Sequence, residues 1–432
     1  MTNWKEICHI SATELAGLIR ARELSAEEVA RTYLQRLEAV DSQINAVVQP
    51  ALDTIERARA ADRALAAGEE IGPLHGLPFT VKDVFATPDL VTILDVKIRQ
   101  RTTPIADATV VSRLRNAGAI LLAKTNCPPH GSGFDTENAL VGRTLNPYDL
   151  TRSPGGSSGG EAALIAAGAS PLGLGGDRRG GVRLPAHYCG IAALKPTSGR
   201  VPNSGAYNQA GGLTDPCTQT GIMARNVIDL ELAFRLIAGP DNMDAGVIPY
   251  PVGRHNDRPP KELRVAFFSQ DPDSPVSAET ARAVGDAAQA LARAGVQVEQ
   301  KLPSALVADA REIDGYWQDI AGTPGRDIVE LFAAWDYYRS KMLQFMVHYD
   351  AILCPVGQHA APPYRKGDRQ RFDYTVPFSL TGYPVVVVRV GAMPSAEPIG
   401  VQVVARPWRE EVALDLAAIL EAEFGGWQPP AL

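Results

Sequence analysis

Two glycine-rich clusters in the middle of the chain contain the residue types of a site for acyl-transfer chemistry. Residues 155–160 read GGSSGG and run directly into a predicted helix at Glu161, and a second cluster occupies residues 173–181. Backbone N–H groups at such turns form a cradle for an anion or an oxyanion, and glycine lets a substrate approach closely. Taken alone, GGSSGG fits a flexible turn just as well.

A lysine upstream of these clusters offers the base that such chemistry requires. Lys82 lies in the apolar segment FTVKDV. A lysine in this setting is usually paired or extended to the surface, whereas a buried lysine loses proton affinity and can accept a proton. A desolvated Lys82, with serines between two glycine turns, suggests serine–lysine acyl transfer, and the ordinary surface lysine remains the alternative.

The elements that must position these residues begin with helices. Two S-x-x-E capping boxes, at residues 11–14 and 25–28, precede apolar residues at helical spacing, and an Ala-rich helix is predicted over 54–67. We therefore expect residues 1–65 to be helical. Residues 72–84 then indicate a turn followed by a short strand.

The rest of the chain alternates between short apolar runs and amphipathic segments. Strands are predicted at residues 119–124, 264–268, 296–301, 351–356 and 385–390, and helices at 106–117, 161–169, 277–295 and 411–424. This alternation predicts an α/β fold with a mainly internal sheet. Residues 309–346 are richer in charge and aromatic side chains and indicate helices, either a cap over a pocket or a surface pair whose aromatics face the core.

Composition bounds the class of protein. The chain has 432 residues, a net charge of −7 and 45% hydrophobic residues, which is ordinary for a globular protein, and it has no basic stripe for nucleic acid. Five scattered cysteines without CxxC spacing form neither a disulfide framework nor a zinc site, and we expect buried thiols. Neither a signal peptide nor a membrane-length apolar run is evident, so a cytoplasmic protein is expected.

Long segments of the chain resemble the amidase signature family of serine hydrolases. The segments that carry the resemblance are GLPFTVKDVFAT, DATVVSRLRNAGAILLAKTN, TRSPGGSSGGEAALIAAGASPLGLG, VRLPAHYCGIAALKPTSGRVP and VPFSLTGYPVVVV. Within the family they are similar to fatty acid amide hydrolase and to bacterial aryl-acylamide and urethane hydrolases. The resemblance implies a single domain over residues 1–432, with N-terminal helices (1–65), a core with the signature region (66–250) and a C-terminal part (251–432). The implied fold is one large mixed sheet between helical layers.

The resemblance also implies a catalytic triad of a serine, a second serine after a cis peptide bond, and a lysine. The lysine falls on Lys82 and the bridging serine on Ser157, while Ser158 is a companion that stabilises the turn or contacts substrate. The nucleophile belongs in a block that this chain writes GGDRRGGVRLPA, and its position is taken by Gly181. The implied oxyanion donors are the backbone N–H groups of residues 178–181, namely Arg178, Arg179, Gly180 and Gly181.

The same block departs from the family pattern at other positions. Arg179 replaces a glycine, and if that glycine requires a positive φ, arginine is strained there by on the order of 1 kcal/mol. Arg178 adds a second cation, which would lower the pKa of Lys82 further, or both arginines bind an anionic ligand. Asp95-Val96 stands where a Gly-Ser pair is common.

The sequence says less about substrate specificity. The resemblance places substrate-contacting backbone at Gly133, Phe134 and Asp135, and residues 207–209 follow the signature on the leaving-group side. Trp317, Trp335 and Tyr338 either line an aromatic acyl pocket or pack in the core. Because the family's chemistry uses no histidine, we interpret His75, His130 and His187 as structural or pocket-lining.

These observations predict an amidase-type hydrolase of C–N bonds in small amides, carbamates or esters, with no metal and no organic cofactor. The alternative from another class is an inactive amidase fold that binds a ligand or partner, because Gly181 offers no atom to acylate. A third hypothesis, an amidotransferase subunit that passes ammonia to a partner, is weakened by the same glycine. The expected assembly is a monomer or a homodimer, without nucleic acid or membrane.

Overall fold

A large mixed β-sheet organises the part of the chain that the computed structural model describes, residues 4–92, 104–206, 215–253, 258–318, 325–364 and 372–432. Eleven of the described strands form this sheet in the order β1-β3-β2-β6-β8-β7-β12-β13-β11-β9-β10, and β4 pairs with β5. The strands are β1 Val47–Pro50, β2 Pro78–Lys82, β3 Ile120–Thr125, β4 Glu137–Asn138, β5 Gly142–Arg143, β6 Leu172–Asp177, β7 Ala192–Lys195, β8 Gln219–Ala224, β9 Arg264–Phe267, β10 Gln297–Gln300, β11 Ala351–Pro355, β12 Val385–Ala392 and β13 Pro398–Ala405.

Helices connect these strands and pack on the sheet. They are α1 Trp4–Cys8, α2 Ala12–Arg20, α3 Ala26–Ile44, α4 Thr54–Ala67, α5 Thr109–Asn116, α6 Gly159–Ala166, α7 Arg183–Cys189, α8 Val227–Ile237, α9 Ala278–Arg293, α10 Leu306–Gln318, α11 Gly325–Met346, α12 Val376–Leu380 and α13 Glu410–Phe424. Single 3₁₀ turns lie at Pro129–Gly131 and Pro260–Glu262.

Alternate residues of the central strands face two different sets of helices. On β8, Met223 packs in the cluster that contains residues of α7, whereas its neighbours Ile222 and Ala224 pack in the cluster that contains residues of α8 and α13. Because successive side chains of a strand point to opposite faces, these helices lie on opposite sides of the sheet. The predicted fold class, a mixed sheet between helical layers, is confirmed.

Three neighbouring strands are parallel and bring their carboxyl ends to one edge. β2 pairs in parallel with both β3 and β6, so Lys82, the last residue of β2, and Asp177, the last residue of β6, lie at the same end of the sheet. Ligands of α/β proteins commonly bind outside the carboxyl ends of such strands. The topology therefore directs attention to this edge.

Most predicted elements are present with ends shifted by a few residues, including both helices of the 309–346 segment. The Ser11 and Ser25 side chains accept the N–H groups of Glu14 and Glu28 and cap their helices as expected. The expectation of helix throughout residues 1–65 is wrong at β1. Asn45 adopts φ 52°, which ends α3, and Val47–Pro50 then pairs with the edge of β3.

Strand β6 is not among the predicted strands, because its sequence LGLGGD indicates only a glycine cluster. The structure explains the glycines by close packing. A Cβ on Gly173 would lie 1.9 Å from Oε1 of Glu161, and a Cβ on Gly175 would lie 2.7 Å from Oγ of Ser158. The strand is glycine-rich because α6 and the turn before it lie directly against it.

All five cysteines are buried free thiols, as predicted. Burial raises the pKa of the Cys127 thiol to about 12, so the thiol form dominates near neutral pH.

Candidate active site

Lys82 lies at the carboxyl end of β2 with its amine directed to a serine. Its Nζ donates to Oγ of Ser157 at 2.6 Å and to the carbonyl oxygen of Gly131 at 3.2 Å. The lysine side chain is 1% exposed, so the buried lysine, and not the surface alternative, is observed. Burial lowers the pKa of Lys82 to about 8, against smaller opposing effects of Cys127 and Asp177. A sizeable fraction of the amine is therefore neutral in mildly alkaline solution.

Ser157 lies in the turn that enters α6, and the Gly156–Ser157 peptide bond is cis. The turn is packed tightly, since a Cβ on Gly156 would lie 2.7 Å from the backbone nitrogen of Asp135. Ser158 is fully buried behind it. The Ser158 hydroxyl accepts the N–H of Gly176 at 3.3 Å, and its backbone N–H donates to the carbonyl of Gly181 at 3.0 Å. Ser158 thus holds two turns together and does not line the cavity over Lys82 and Ser157.

Asp177 organises the turn between β6 and α7. Its carboxylate accepts the N–H groups of Gly180 and Val182 at 2.8 and 3.2 Å and pairs with Arg183 at 2.8 Å. Burial alone would raise the pKa of Asp177, but the charge and hydrogen bonds of Arg183 hold it below its ordinary value. Of the four predicted oxyanion donors, the Gly180 N–H is therefore already engaged. Arg178, Arg179 and Gly181 remain candidates.

Gly181 lies beside Ser157, and there is no room for a side chain on it as the backbone stands. A Cβ on Gly181 would lie 3.1 Å from Oγ of Ser157 but only 2.3 Å from the carbonyl oxygen of Gly176. The end of β6 therefore occupies the space next to the Lys82–Ser157 pair.

The two arginines of this turn have different environments. The guanidinium of Arg179 forms an ion pair with Asp314 of α10 and lies 5.8 and 5.2 Å from the ring centroids of Phe134 and Phe372. The expected backbone strain at Arg179 is absent, because Gly180 is the residue of this turn that adopts a positive φ, 132°. Arg178 has no ion pair with the described residues.

A cavity of about 440 Å³ opens over these residues. Its walls contain predicted members of the site and several additional residues: Lys82, Val84, His130, Gly131, Ser132, Gly133, Phe134, Ser157, Gly176, Arg178, Arg179, Gly181, Asp215 and Phe372. Asp135 is not among them, since its carboxylate accepts the Ser153 hydroxyl at 2.7 Å and the Thr136 N–H at 2.9 Å. Phe372 and Asp215 were missed, because neither lies in a motif.

Trp317, Trp335 and Tyr338, for which a pocket and the core were both considered, pack in the core. Trp335 donates from Nε1 to the carbonyl of Leu380 at 2.7 Å, and the hydroxyl of Tyr338 donates to Leu306 at 3.2 Å. Trp317 stacks edge-on against Trp335 with centroids 5.3 Å apart. The core alternative is therefore confirmed for these aromatics. Helix α10 itself contacts the cavity wall through the ion pair of Asp314 with Arg179.

The histidines differ in position. Nε2 of His75 lies 2.9 Å from the Ala61 carbonyl, away from the cavity. His187 is buried, with Nε2 3.1 Å from the His359 carbonyl and Nδ1 accepting the Gly400 N–H, and burial lowers its pKa to about 4. Both are structural, whereas the exposed His130 lines the cavity. Asp95-Val96 and residues 207–209 lie outside the described residues.

Comparison with known protein families identifies the class to which this chain belongs. The chain matches the family described as Amidase over residues 28–313 and 329–414. It therefore belongs to the amidase family, and the resemblance drawn from its sequence is confirmed.

Individual relatives cover nearly the whole chain. An acylamidase of Rhodococcus erythropolis is 32% identical over 96% of this chain and 95% of its own length. A glutamyl-tRNA(Gln) amidotransferase subunit of Moorella thermoacetica is 31% identical over 96% of this chain and 97% of its own. Among solved structures, 6-aminohexanoate cyclic dimer hydrolase superposes with a TM-score of 0.83 at 29% identity, covering 98% of this chain and 99% of that one.

Neither a metal cluster nor a membrane-spanning helix is found among the described residues. In this part of the chain, no group of three or more His, Cys, Asp or Glu side chains is arranged to hold a metal ion. No helix within the same ranges has the length and apolarity that crossing a membrane requires. The cytoplasmic location stays a prediction.

Proposed function

We propose that this chain is an amidase-type hydrolase of small amides, carbamates or esters in which Gly181 holds the position of the attacking serine. One observation carries the proposal: Lys82 Nζ, Ser157 Oγ and the point where a Cβ of residue 181 would lie form a continuous series, with steps of 2.6 and 3.1 Å. A serine at position 181 would therefore lie directly beside Ser157, where its hydroxyl could pass a proton to Ser157 and then to the lysine once the Gly176 carbonyl had moved aside. Two members of this proton relay, Ser157 and Lys82, are present, and the serine that would begin it is missing.

The remaining relay can act on water. Neutral Lys82 accepts the proton of the Ser157 hydroxyl, and Ser157 accepts a proton from a water molecule that attacks the carbonyl carbon. The C–N bond then breaks, and the leaving nitrogen takes the proton back through Ser157, so no acyl-enzyme forms. Enzymes that lose their nucleophile retain catalysis roughly 10³–10⁴-fold above water from binding and oxyanion stabilisation. We therefore expect slow turnover.

Oxyanion stabilisation in this proposal rests on fewer donors than the sequence suggested. Asp177 already accepts the Gly180 N–H. The N–H groups of Arg178, Arg179 and Gly181 are therefore left to stabilise the negative charge that develops on the substrate's carbonyl oxygen. Loss of one such donor typically costs about 10²–10³ in rate. This is a second reason to expect slow hydrolysis.

A second candidate is a ligand-binding protein without turnover. The Gly176 carbonyl favours it, because this oxygen lies where the side chain of residue 181 would be and presents an acceptor, not a donor, to that space. An amidotransferase subunit is among the relatives of this chain, which favours the amidotransferase hypothesis. A subunit that releases ammonia from an amide, however, depends on the same missing serine.

Hydrolysis of a panel of nitroanilides and nitrophenyl esters separates these candidates. We expect slow release from the unmodified protein and none above background from Lys82→Ala. Lys261→Ala is the matched control, since this exposed lysine follows Pro260 far from the relay in sequence and should retain the full rate. Equal rates in the Lys82→Ala and unmodified proteins would exclude the relay. If neither protein hydrolyses any substrate but both still bind one, the ligand-binding candidate would be favoured.

A further inference from the structure

The candidate site shares a wall with a second cavity. This neighbour has a volume of about 640 Å³ and is enclosed largely by α10 and by residues 372–376. Phe134, Arg179 and Phe372 line both cavities. These three side chains, which we call the dividing wall, form the wall that the two cavities share.

Arg179 is the central member of the dividing wall and is fixed at both ends. The rings of Phe134 and Phe372 stack with centroids 4.1 Å apart, and the guanidinium lies against both. Asp314 pairs with the guanidinium, while the hydroxyl of Thr375 donates to the Arg179 carbonyl. A side chain held by an ion pair, two aromatic rings and a backbone hydrogen bond has few alternative positions.

The second cavity has an apolar side suited to hydrocarbon. Val307, Ala310 and Val376 line it together with Phe372. Its other charged pair, Arg311 with Asp373, is closed on itself at 2.9 Å. An alkyl chain that entered this space would bury apolar surface and leave the pair of Arg311 with Asp373 intact. The ion pair of Arg179 with Asp314 is the one that it would disturb.

We propose that Arg179 determines the length of ligand that this site accepts. With the wall in place, the site takes amides whose acyl part fits within the smaller cavity, and the apolar space under α10 is closed to them. Without the Arg179 side chain the two cavities join, and linear acyl chains extend into the second one. The inference rests on the proposed function, because it places the amide group at Ser157 and Gly181.

The test is the affinity of a series of linear primary amides, from propanamide to octanamide, measured by ligand-observed NMR titration. In the unmodified protein, affinity should stop rising with the length of the amide once its alkyl chain reaches the dividing wall. In Arg179→Gly it should continue to rise by about fourfold for each further methylene, the value for a buried CH₂. Arg179→Ala is a second variant in case the glycine variant does not fold, and a melting curve for each checks this.

Two matched variants separate the wall from a change in charge. Arg311→Ala removes an arginine that lines only the second cavity and should leave the chain-length dependence as in the unmodified protein. Asp314→Asn frees Arg179 from its partner and should give an intermediate dependence. An equal gain in Arg311→Ala and Arg179→Gly would overturn the inference.

The remaining outcomes distinguish this inference from the proposed function. If short amides bind both proteins and Arg179→Gly leaves the chain-length dependence unchanged, the wall is refuted and the proposed function stands. If no amide binds either protein, both fail together.

Discussion

At the scale of single residues, Lys82 owes its chemistry to its position at the end of a buried strand. Lys82 is buried, so its amine is desolvated, and Ser157 and Gly131 are its hydrogen-bond partners. Neither the motif nor the composition sets this proton affinity. It follows from the parallel pairing of β2 with β6, which places the lysine against the turn that contains Ser157.

The lowered pKa of Lys82 predicts a pH dependence of hydrolysis. The amine must be neutral to accept a proton, and with a pKa of about 8 it becomes neutral as pH rises through that value. The residual rate on a nitrophenyl ester should therefore increase between about pH 7 and 9 and level off above. After subtraction of the buffer rate, Lys82→Ala should show no such rise. A flat profile for the unmodified protein would count against the relay.

At the scale of secondary structure, α6 and β6 fit together through a buried acid. Glu161 accepts the hydroxyl groups of Thr80 and Thr125 at the centre of the parallel strands. Burial raises its pKa to about 8, so its neutral form is stabilised by folding. The carboxyl group fits because Gly173 has no side chain.

This acid should make stability depend on pH. Because its pKa is raised in the folded state, the folded protein binds more protons between about pH 4.5 and 8, and stability falls as pH rises through that range. Glu161→Gln does not titrate, so the loss of melting temperature between pH 5 and 8 should be smaller in this variant. An identical loss in both proteins would show that Glu161 is not the group responsible.

Gly173→Ala tests the fit between these two elements. The added Cβ would meet Oε1 of Glu161 at 1.9 Å, and we expect a destabilisation of about 1–3 kcal/mol in urea unfolding from overpacking. The control is Gly285→Ala in α9, where a Cβ meets nothing within 4 Å and alanine should stabilise the helix by up to about 1 kcal/mol. Equal effects of the two substitutions would contradict this packing.

The sequence predicted this level of structure unevenly. Long amphipathic helices and β-branched runs such as Val385–Ala392 were foreseen, because their periodicity is local. Strand β6 was not, because its glycines are required by close contacts with α6, and a local sequence pattern does not reveal such contacts. Phe372 and Asp314 were missed at the site for the same reason, since the fold brings them beside Arg179 from distant parts of the chain.

At the scale of the whole molecule, a buried arginine connects the signature region to the C-terminal part. Arg183 is fully buried, pairs with Asp177, and donates to the Thr375 carbonyl and the Ser379 hydroxyl, each at 2.7 Å. The sheet likewise runs through strands from residues 47 to 405. We propose on this basis that the chain unfolds as a single domain.

Replacement of Arg183 tests that connection. Arg183→Leu leaves Asp177 buried without its partner and should destabilise the protein by about 3–5 kcal/mol in one cooperative urea transition. Arg293→Leu is the control, since its pair with Glu423 has side chains 57% and 46% exposed and should contribute no more than about 1 kcal/mol. Two separate transitions would refute the single domain.

Release of nitrophenol by Gly181→Ser, with Gly181→Ala as control, tests whether position 181 is that of the missing nucleophile. Both variants require the Gly176 carbonyl to move away from the new Cβ, so their melting temperatures should fall alike. Only the serine variant should then show a burst of about one equivalent per chain, with a mass increase of one acyl group. A serine variant that folds and shows no burst, or a burst of the same size in the alanine variant, would contradict the assignment of position 181.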